Sequence, residues 1–160
     1  MASGKSTVAE ILAKKIDRSV HLRGDVFRKM IISGRVEMSE FPAREAVEQL
    51  NLRYRITAET AKQYFEAGFN VIIQDNYYGK ALNNMVELLL PYTPKVVILN
   101  PSIEIVKYRE ENRNKKGYIG FSIEKLNEGF LKETPRIGLW IDNSDLTPEE
   151  TVQKILEYYT

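Results

Sequence analysis

Apolar residues recur along this chain in two rhythms, one helical and one of short continuous runs. Val8, Ile11, Leu12 and Ile16 share one face of a helix predicted over residues 5–16. Ser19 to Arg23 reads as a short strand. Val26 to Ile32 then has helical spacing, with Asp25 placed as its N-cap and Ser33-Gly34 ending it. A long helix follows Pro42, carrying Val47, Leu50, Tyr54, Ala61 and Phe65, and Gly68 closes it. Val71-Ile72-Ile73 is too short an apolar run for a helix and predicts a buried strand ending at Gln74-Asp75-Asn76. A helix with Leu82, Met85 and Leu89 stops at Pro91. Val96 to Leu99 is the next buried strand, and Ser102 caps a helix running into the charged stretch Lys107 to Lys116. Another helix follows Ser122, Leu139 to Ile141 forms the last strand, and Thr147-Pro148-Glu149-Glu150 is a capping box. The final helix buries Val152, Ile155, Leu156 and Tyr159.

Short apolar strands alternating with helices predict an α/β fold, with a parallel sheet covered on both faces. Ligands of such sheets bind beyond the carboxyl ends of the strands. Asp25, Asp75 and Asn100 each stand just after a strand and so become the first residues of interest.

Composition narrows the function classes. The chain has 160 residues, enough for one domain with a hydrophobic core. Its formal net charge of +1 gives no electrostatic case for bulk nucleic-acid or membrane binding. No stretch approaches the ~18 apolar residues of a membrane span. The absence of cysteine excludes disulfides and thiolate metal sites, and fits a cytoplasmic location. A single histidine excludes a histidine-cluster metal centre. The oligomeric state is not readable from the sequence.

Candidate chemistry begins at Gly4-Lys5-Ser6-Thr7, the second half of the phosphate-binding pattern G-x-x-x-x-G-K-[ST]. Gly4 lets the backbone approach a phosphate, Lys5 reaches the β- and γ-phosphates of ATP, and the Ser6 hydroxyl suits Mg2+. Thr7 and the main-chain N–H groups from Ala2 and Ser3 onward meet further phosphate oxygens. Four residues can occur by chance before an ordinary helix, but helical periodicity starts at once and an α/β pattern follows. The first glycine of the full pattern falls two residues before Met1, and the strand feeding the loop falls upstream. The expectation is therefore a start assigned too late at an internal methionine, with truncation as the alternative.

The turn and the order of elements behind it resemble the small P-loop kinases of the nucleoside-monophosphate-kinase type, closest to the chloramphenicol-phosphotransferase-like and gluconate-kinase-like branch. The resemblance spans nearly the whole chain. It implies a single domain over residues 1–160, a three-layer P-loop fold and a parallel sheet in the order 2-3-1-4-5. The family's strand 1 is missing from this chain, and a short helical lid falls roughly at residues 107–130. Gly24-Asp25-Val26-Phe27-Arg28 resembles the family's acid-plus-arginine element, in which the aspartate meets the acceptor hydroxyl and the arginine holds substrate. Alternatively, Asp25 merely caps its helix and pairs with Arg28. Asp75 resembles an acid that holds Mg2+ or orients the acceptor, or else is an ordinary turn residue ahead of Tyr77, Tyr78 and Gly79. Arg109 and Arg113, one helical turn apart and followed by Lys115-Lys116-Gly117, resemble the lid arginines that neutralise the transferring phosphoryl group. The plainer alternative is a solvated basic face paired with Glu110 and Glu111.

Arg53 and Arg55 fit surface positions better than an acceptor site. His21 reads as a packed or edge residue and Trp140 as core. Asp142-Asn143-Ser144 falls where the adenine-contacting loop comes in related kinases.

The sequence thus points to an ATP- and Mg2+-dependent transfer of the γ-phosphoryl group to a hydroxyl of a small-molecule acceptor. Lys5, Asp25, Arg109 and Arg113 are the catalytic candidates, residues 2–7 hold nucleotide, and Asp25, Arg28 and Asp75 meet the acceptor. Ser6 and Asp75 serve the metal. The same chemistry on a nucleotide or polynucleotide is the alternative, although a polynucleotide calls for a basic groove that the near-neutral charge does not suggest. A non-kinase nucleotide-binding or hydrolysing module is the third reading. A GTP-type switch lacks support, because no N-K-x-D motif is present and Asp75 to Gly79 has one residue too many for D-x-x-G.

Overall fold

The computed structural model describes residues 2–113, 117–118 and 121–159. Its elements follow the order α1 (Lys5–Lys15), β1 (Ser19–Arg23), α2 (Asp25–Lys29), α3 (Arg44–Glu66), β2 (Asn70–Gln74), α4 (Lys80–Leu88), β3 (Val97–Leu99), α5 (Ile103–Glu111), α6 (Ile123–Glu133), β4 (Leu139–Ile141) and α7 (Pro148–Tyr159). The alternation of parallel strands and helices is an α/β arrangement consistent with a P-loop domain.

The strands form two separate parallel pairs among the described residues, not one continuous sheet. β1 pairs with β2 from Ser19 opposite Asn70 to Arg23 opposite Gln74, and β3 pairs with β4 from Val97 opposite Leu139 to Leu99 opposite Ile141. Each pair leaves open edges, so Val71 to Ile73 and Val97 to Leu99 are half-buried, where the apolar runs predict full burial. Both pairings continue one step past the strand ends. Gly24 N donates to Gln74 O at 3.1 Å and Asn100 N donates to Ile141 O at 2.8 Å, which fixes how the functional loops leave the sheets.

Two hydrophobic clusters cover the two pairs. Tyr54, Ala58 and Ala61 of α3 pack with Met85 of α4 and Leu89 just after it, over Leu22, Val71 and Ile73. Val8 of α1 packs with Ile141, Val152 and Ile155, beside Val97, Leu99 and Leu139. α1 touches β1, β2 and α7, so it ties the two halves together and carries the phosphate turn at its start. Full burial of a side chain such as Val152 stabilises by roughly 1.5–3 kcal/mol.

The capping signals hold well. Ser102 Oγ accepts from Ile105 N, Ser122 Oγ accepts from Lys125 N, and Thr147 and Glu150 make the reciprocal capping box, with Thr147 N donating to Glu150 Oε2 at 2.8 Å and Glu150 N donating to Thr147 Oγ1 at 3.2 Å. α2 is the exception. It stops at Lys29, three residues short of the predicted Ile32, and Gly24 takes the N-cap position while Asp25 opens the helix. Met30 is 64% exposed and Ile32 92% exposed, so the periodic pattern found no surface to bury against and gave no reason to extend the helix. No helix of the described residues is long and apolar enough to cross a membrane.

Candidate functional site

The site starts from backbone geometry. Gly4 sits at φ +87°, a left-handed conformation in which a side chain is strained, and it turns the chain into α1. The main-chain amides at the start of α1 therefore face outward with the positive end of the helix dipole, which favours an anion. Ser6 and Thr7 are exposed at that end.

Side chains from three later elements lock the turn. Asn143, just after β4, donates from Nδ2 to Ser3 O at 3.0 Å. Lys5 Nζ donates to Ser3 Oγ at 3.2 Å, and Ser6 Oγ donates to Gln74 Oε1 at 3.2 Å. Arg109 Nη2 donates to Asn143 O at 3.0 Å, linking α5 to the loop that clamps the turn. Lys5 is half-exposed by area, yet its ammonium is crowded by protein. Burial lowers its pKa to about 8, helped by the Arg113 charge and opposed by Asp75.

Asp75 and Arg53 form the most buried ion pair of the site. Arg53 Nε lies 3.0 Å from Asp75 Oδ2, Arg53 Nη2 donates to Oδ1 at 3.1 Å, and Oδ1 also accepts from Asn76 N at 2.8 Å. Burial raises the Asp75 pKa, while Arg53 pulls the other way. The carboxylate lies flat against Gly24, where a Cβ would collide with Oδ2, so glycine is required there by close approach. The Arg53 finding corrects the sequence reading: this arginine is not a surface residue but the buried partner of Asp75.

Asp25 is half-buried. Its Oδ2 lies 2.9 Å from Lys29 Nζ and its Oδ1 3.5 Å from Arg23 Nε, so the pairing expected with Arg28 goes to Lys29 and Arg23 instead. Arg28 pairs with Glu37. Arg113 Nη2 lies 2.7 Å from Glu110 Oε2, and Glu110, itself buried, accepts from Tyr118 N at 3.3 Å. Lys115 and Lys116 lie outside the described residues. The neighbouring tyrosines separate: Tyr77 packs on Tyr54 with ring centroids 5.0 Å apart, whereas Tyr78 meets Phe130, which stacks on Trp140.

The structure thus gathers Ser3 to Ser6, Gln74, Asp75, Arg53, Asn143, Arg109 and Arg113 around one helix start. Asp25 lies close enough to Asp75 to act on its charge. Sequence reading missed Arg53, Gln74, Glu110 and the clamping role of Asn143. Gln74 and Asn143 stood in the right places, at strand ends. Arg53 and Glu110 carried no signal beyond a charge on a helix.

For Mg2+ the residues fit unevenly. Ser6 Oγ and the Gln74 amide oxygen are hard oxygen donors, and Mg2+ asks for few protein ligands where phosphates supply the rest. The Asp75 carboxylate already faces Arg53.

A family model described as an AAA domain matches residues 1–129. The chain belongs to this AAA-domain family. The match takes in the turn, Asp25, Asp75 and both arginines, while β4, with Asn143 after it, and α7 lie beyond it. No curated protein matches the sequence. Among solved structures, the AAA-domain chain is similar to a candidate kinase from Chloroflexus aurantiacus, with 19% identity over 99% of this chain and 90% of that one, and TM-score 0.65. It is similar to a tunicamycin resistance protein from Deinococcus radiodurans, with 12% identity over 98% and 89%, and TM-score 0.66. A chain of the Pnkp1/Rnl/Hen1 RNA repair complex is 21% identical over 91% of this chain and 48% of that one, with TM-score 0.62. The fold shared with these structures is an α/β arrangement consistent with a P-loop domain.

Proposed function

We propose that this chain is an ATP-dependent phosphotransferase that moves the γ-phosphoryl group to a hydroxyl of a small-molecule acceptor. The observation that carries the reading is the position of Lys5. Its ammonium stands at the start of α1 within the electrostatic reach of both Asp75 and Arg113, where a nucleotide's phosphates would complete the charge balance. The amides of residues 2–7 would hold the phosphates, with Lys5 on the β- and γ-groups. Mg2+, held at Ser6, would supply charge neutralisation on the same oxygens.

Asp25 would take the proton of the acceptor hydroxyl as the phosphoryl group moves, and Arg28 and Asp75 would orient that acceptor. Lys29 and Arg23 keep the Asp25 carboxylate in place. Arg113 would meet the transferring group from a lid over residues 107–130, and Arg109 would support it through the Asn143 loop. The protein's share is positioning and electrostatics, since phosphoryl transfer needs little covalent chemistry from it.

The test is a screen of hydroxyl compounds with γ-labelled ATP, including a 5′-hydroxyl oligonucleotide. Label appearing on one class of small acceptor supports the reading. Steady hydrolysis without any acceptor requirement, or preference for GTP, would sink it. Label on the oligonucleotide alone would move the function to polynucleotide repair.

A further inference from the structure

A cleft separate from the phosphate turn runs between the start of α4 and α6. Its volume is about 600 Å³, the size of a small-molecule site. Tyr78, Ala81, Leu126 and Phe130 supply apolar wall, and Lys80, Lys125 and Glu133 stand among the lining residues. A smaller hollow of about 190 Å³, lined by Glu40 and Phe121, continues it past the shared Lys125 and Leu126.

Gly129 is the telling residue. It lies in the body of α6, where glycine is worse than alanine because it leaves the unfolded backbone freer. Such a residue is usually excused by a close neighbour. Here a Cβ would meet no atom within 4 Å, and Gly129 is one of the residues that line the cleft. The missing methyl serves no packing within the protein and leaves room in the cleft.

Charge limits what the room can take. Two cations, Lys80 and Lys125, are matched by two anions, Glu133 and Glu40, with Lys125 Nζ 2.5 Å from Glu40 Oε1. A multiply charged ligand gains nothing from such a rim, whereas an uncharged one buries apolar surface against Phe130 and Leu126. The cleft borders the loops that leave two strand ends. Tyr78, on its wall, lies three residues after Asp75, and Phe130, also on its wall, packs on Trp140 with ring centroids 5.4 Å apart, three residues before Asn143.

We propose that this cleft holds the body of the acceptor, an uncharged hydroxyl compound with an aromatic or aliphatic body, and that its hydroxyl end leaves the cleft on the Tyr78 side, towards Asp75. This deepens the kinase reading and rests on it. The experiment titrates the full chain with 2-naphthol, followed through the amide resonances of Gly79 and Gly129, with 2-naphthol-6,8-disulfonate as the charged counterpart. Both resonances should shift with 2-naphthol and stay still with the disulfonate. Gly129→Leu should weaken 2-naphthol binding at least tenfold. Gly129→Ala should weaken it less while leaving the Tm equal or higher. Equal binding by Gly129→Leu, shifts that spare both glycines, or tighter binding of the disulfonate would each overturn the proposal. In the labelled-ATP screen, transfer to an acceptor that survives Gly129→Leu unchanged would also overturn it. Absence of transfer to every compound would count against the kinase reading, while the naphthol titration would still decide the cleft.

Discussion

The phosphate turn and the cleft between α4 and α6 are built in different ways. Around Gly4 to Ser6 the working parts are main-chain atoms and side chains held by partners. Asn143 holds the Ser3 carbonyl, the Ser3 hydroxyl accepts from Lys5, and the Gln74 amide accepts from Ser6. In the cleft, the walls are side chains and a vacant Cβ position, and the charged ones at its rim are exposed. The first design needs particular atoms at fixed spacing, because phosphate has one geometry. The second needs only a shape, which many side chains can supply. In the proposed kinase, donor handling therefore travels with the fold while the acceptor can change by substitution on two helices.

The contrast can be broken most forcefully at Asp25. Asp25→Asn should lower kcat by about 10²–10⁴ while ATP affinity, measured by calorimetry, stays within about twofold. A fully active variant would remove Asp25 from the chemistry and leave it as a structural partner of Lys29. Next comes the buried pair beneath the turn. Arg53→Ala leaves the Asp75 carboxylate buried and unbalanced, at a cost of about 3–5 kcal/mol in urea unfolding. The double change Arg53→Met with Asp75→Leu should recover most of that stability and no phosphotransfer. An unaltered midpoint for Arg53→Ala would mean the pair does not hold the site together. The two arginines of the proposed lid sharpen the contrast further. Arg113→Ala should reduce kcat by about 10²–10³. Arg109→Ala should act mainly on the KM for ATP, because its partner is the Asn143 carbonyl that clamps the turn. Equal effects of both variants on kcat alone would refute this division.

These differences also explain what was legible in the sequence. The strands, the long helix and the caps at Ser102 and Thr147 were readable because periodicity and capping chemistry are local. So was the turn. The α2 error arose where Met30 and Ile32 of an apolar pattern have no surface to meet, and only tertiary structure reveals that. The full burial expected of the strands failed for the same kind of reason, since burial depends on what pairs with each edge. Arg53 looked like any helical arginine because its partner lies 22 residues away, on another element. The cleft left one faint mark, a glycine inside an amphipathic helix. That mark means nothing until its surroundings are known.

The smallest expected effect separates the turn from everything else by pH. Burial holds the Lys5 ammonium at a pKa of about 8, below its ordinary 10.5. A lysine whose pKa falls on folding opposes folding while it is charged in both states. That opposition is relieved as pH rises from about 8 towards 10.5, because the unfolded chain then holds a proton that the folded chain has released. Stability and function should therefore move in opposite directions. Phosphates favour the charged form, so binding ATP above pH 8 requires taking up a proton, and ATP affinity should fall by up to about tenfold per pH unit there. Between pH 6 and 7, where Lys5 is already charged, this contribution should be flat. Lys5→Arg retains its charge across the whole range and should bind ATP with no break near pH 8. Calorimetric titrations at four pH values would decide the matter. A break of the same size in Lys5→Arg would assign the titration to another group and detach the turn from the pH response.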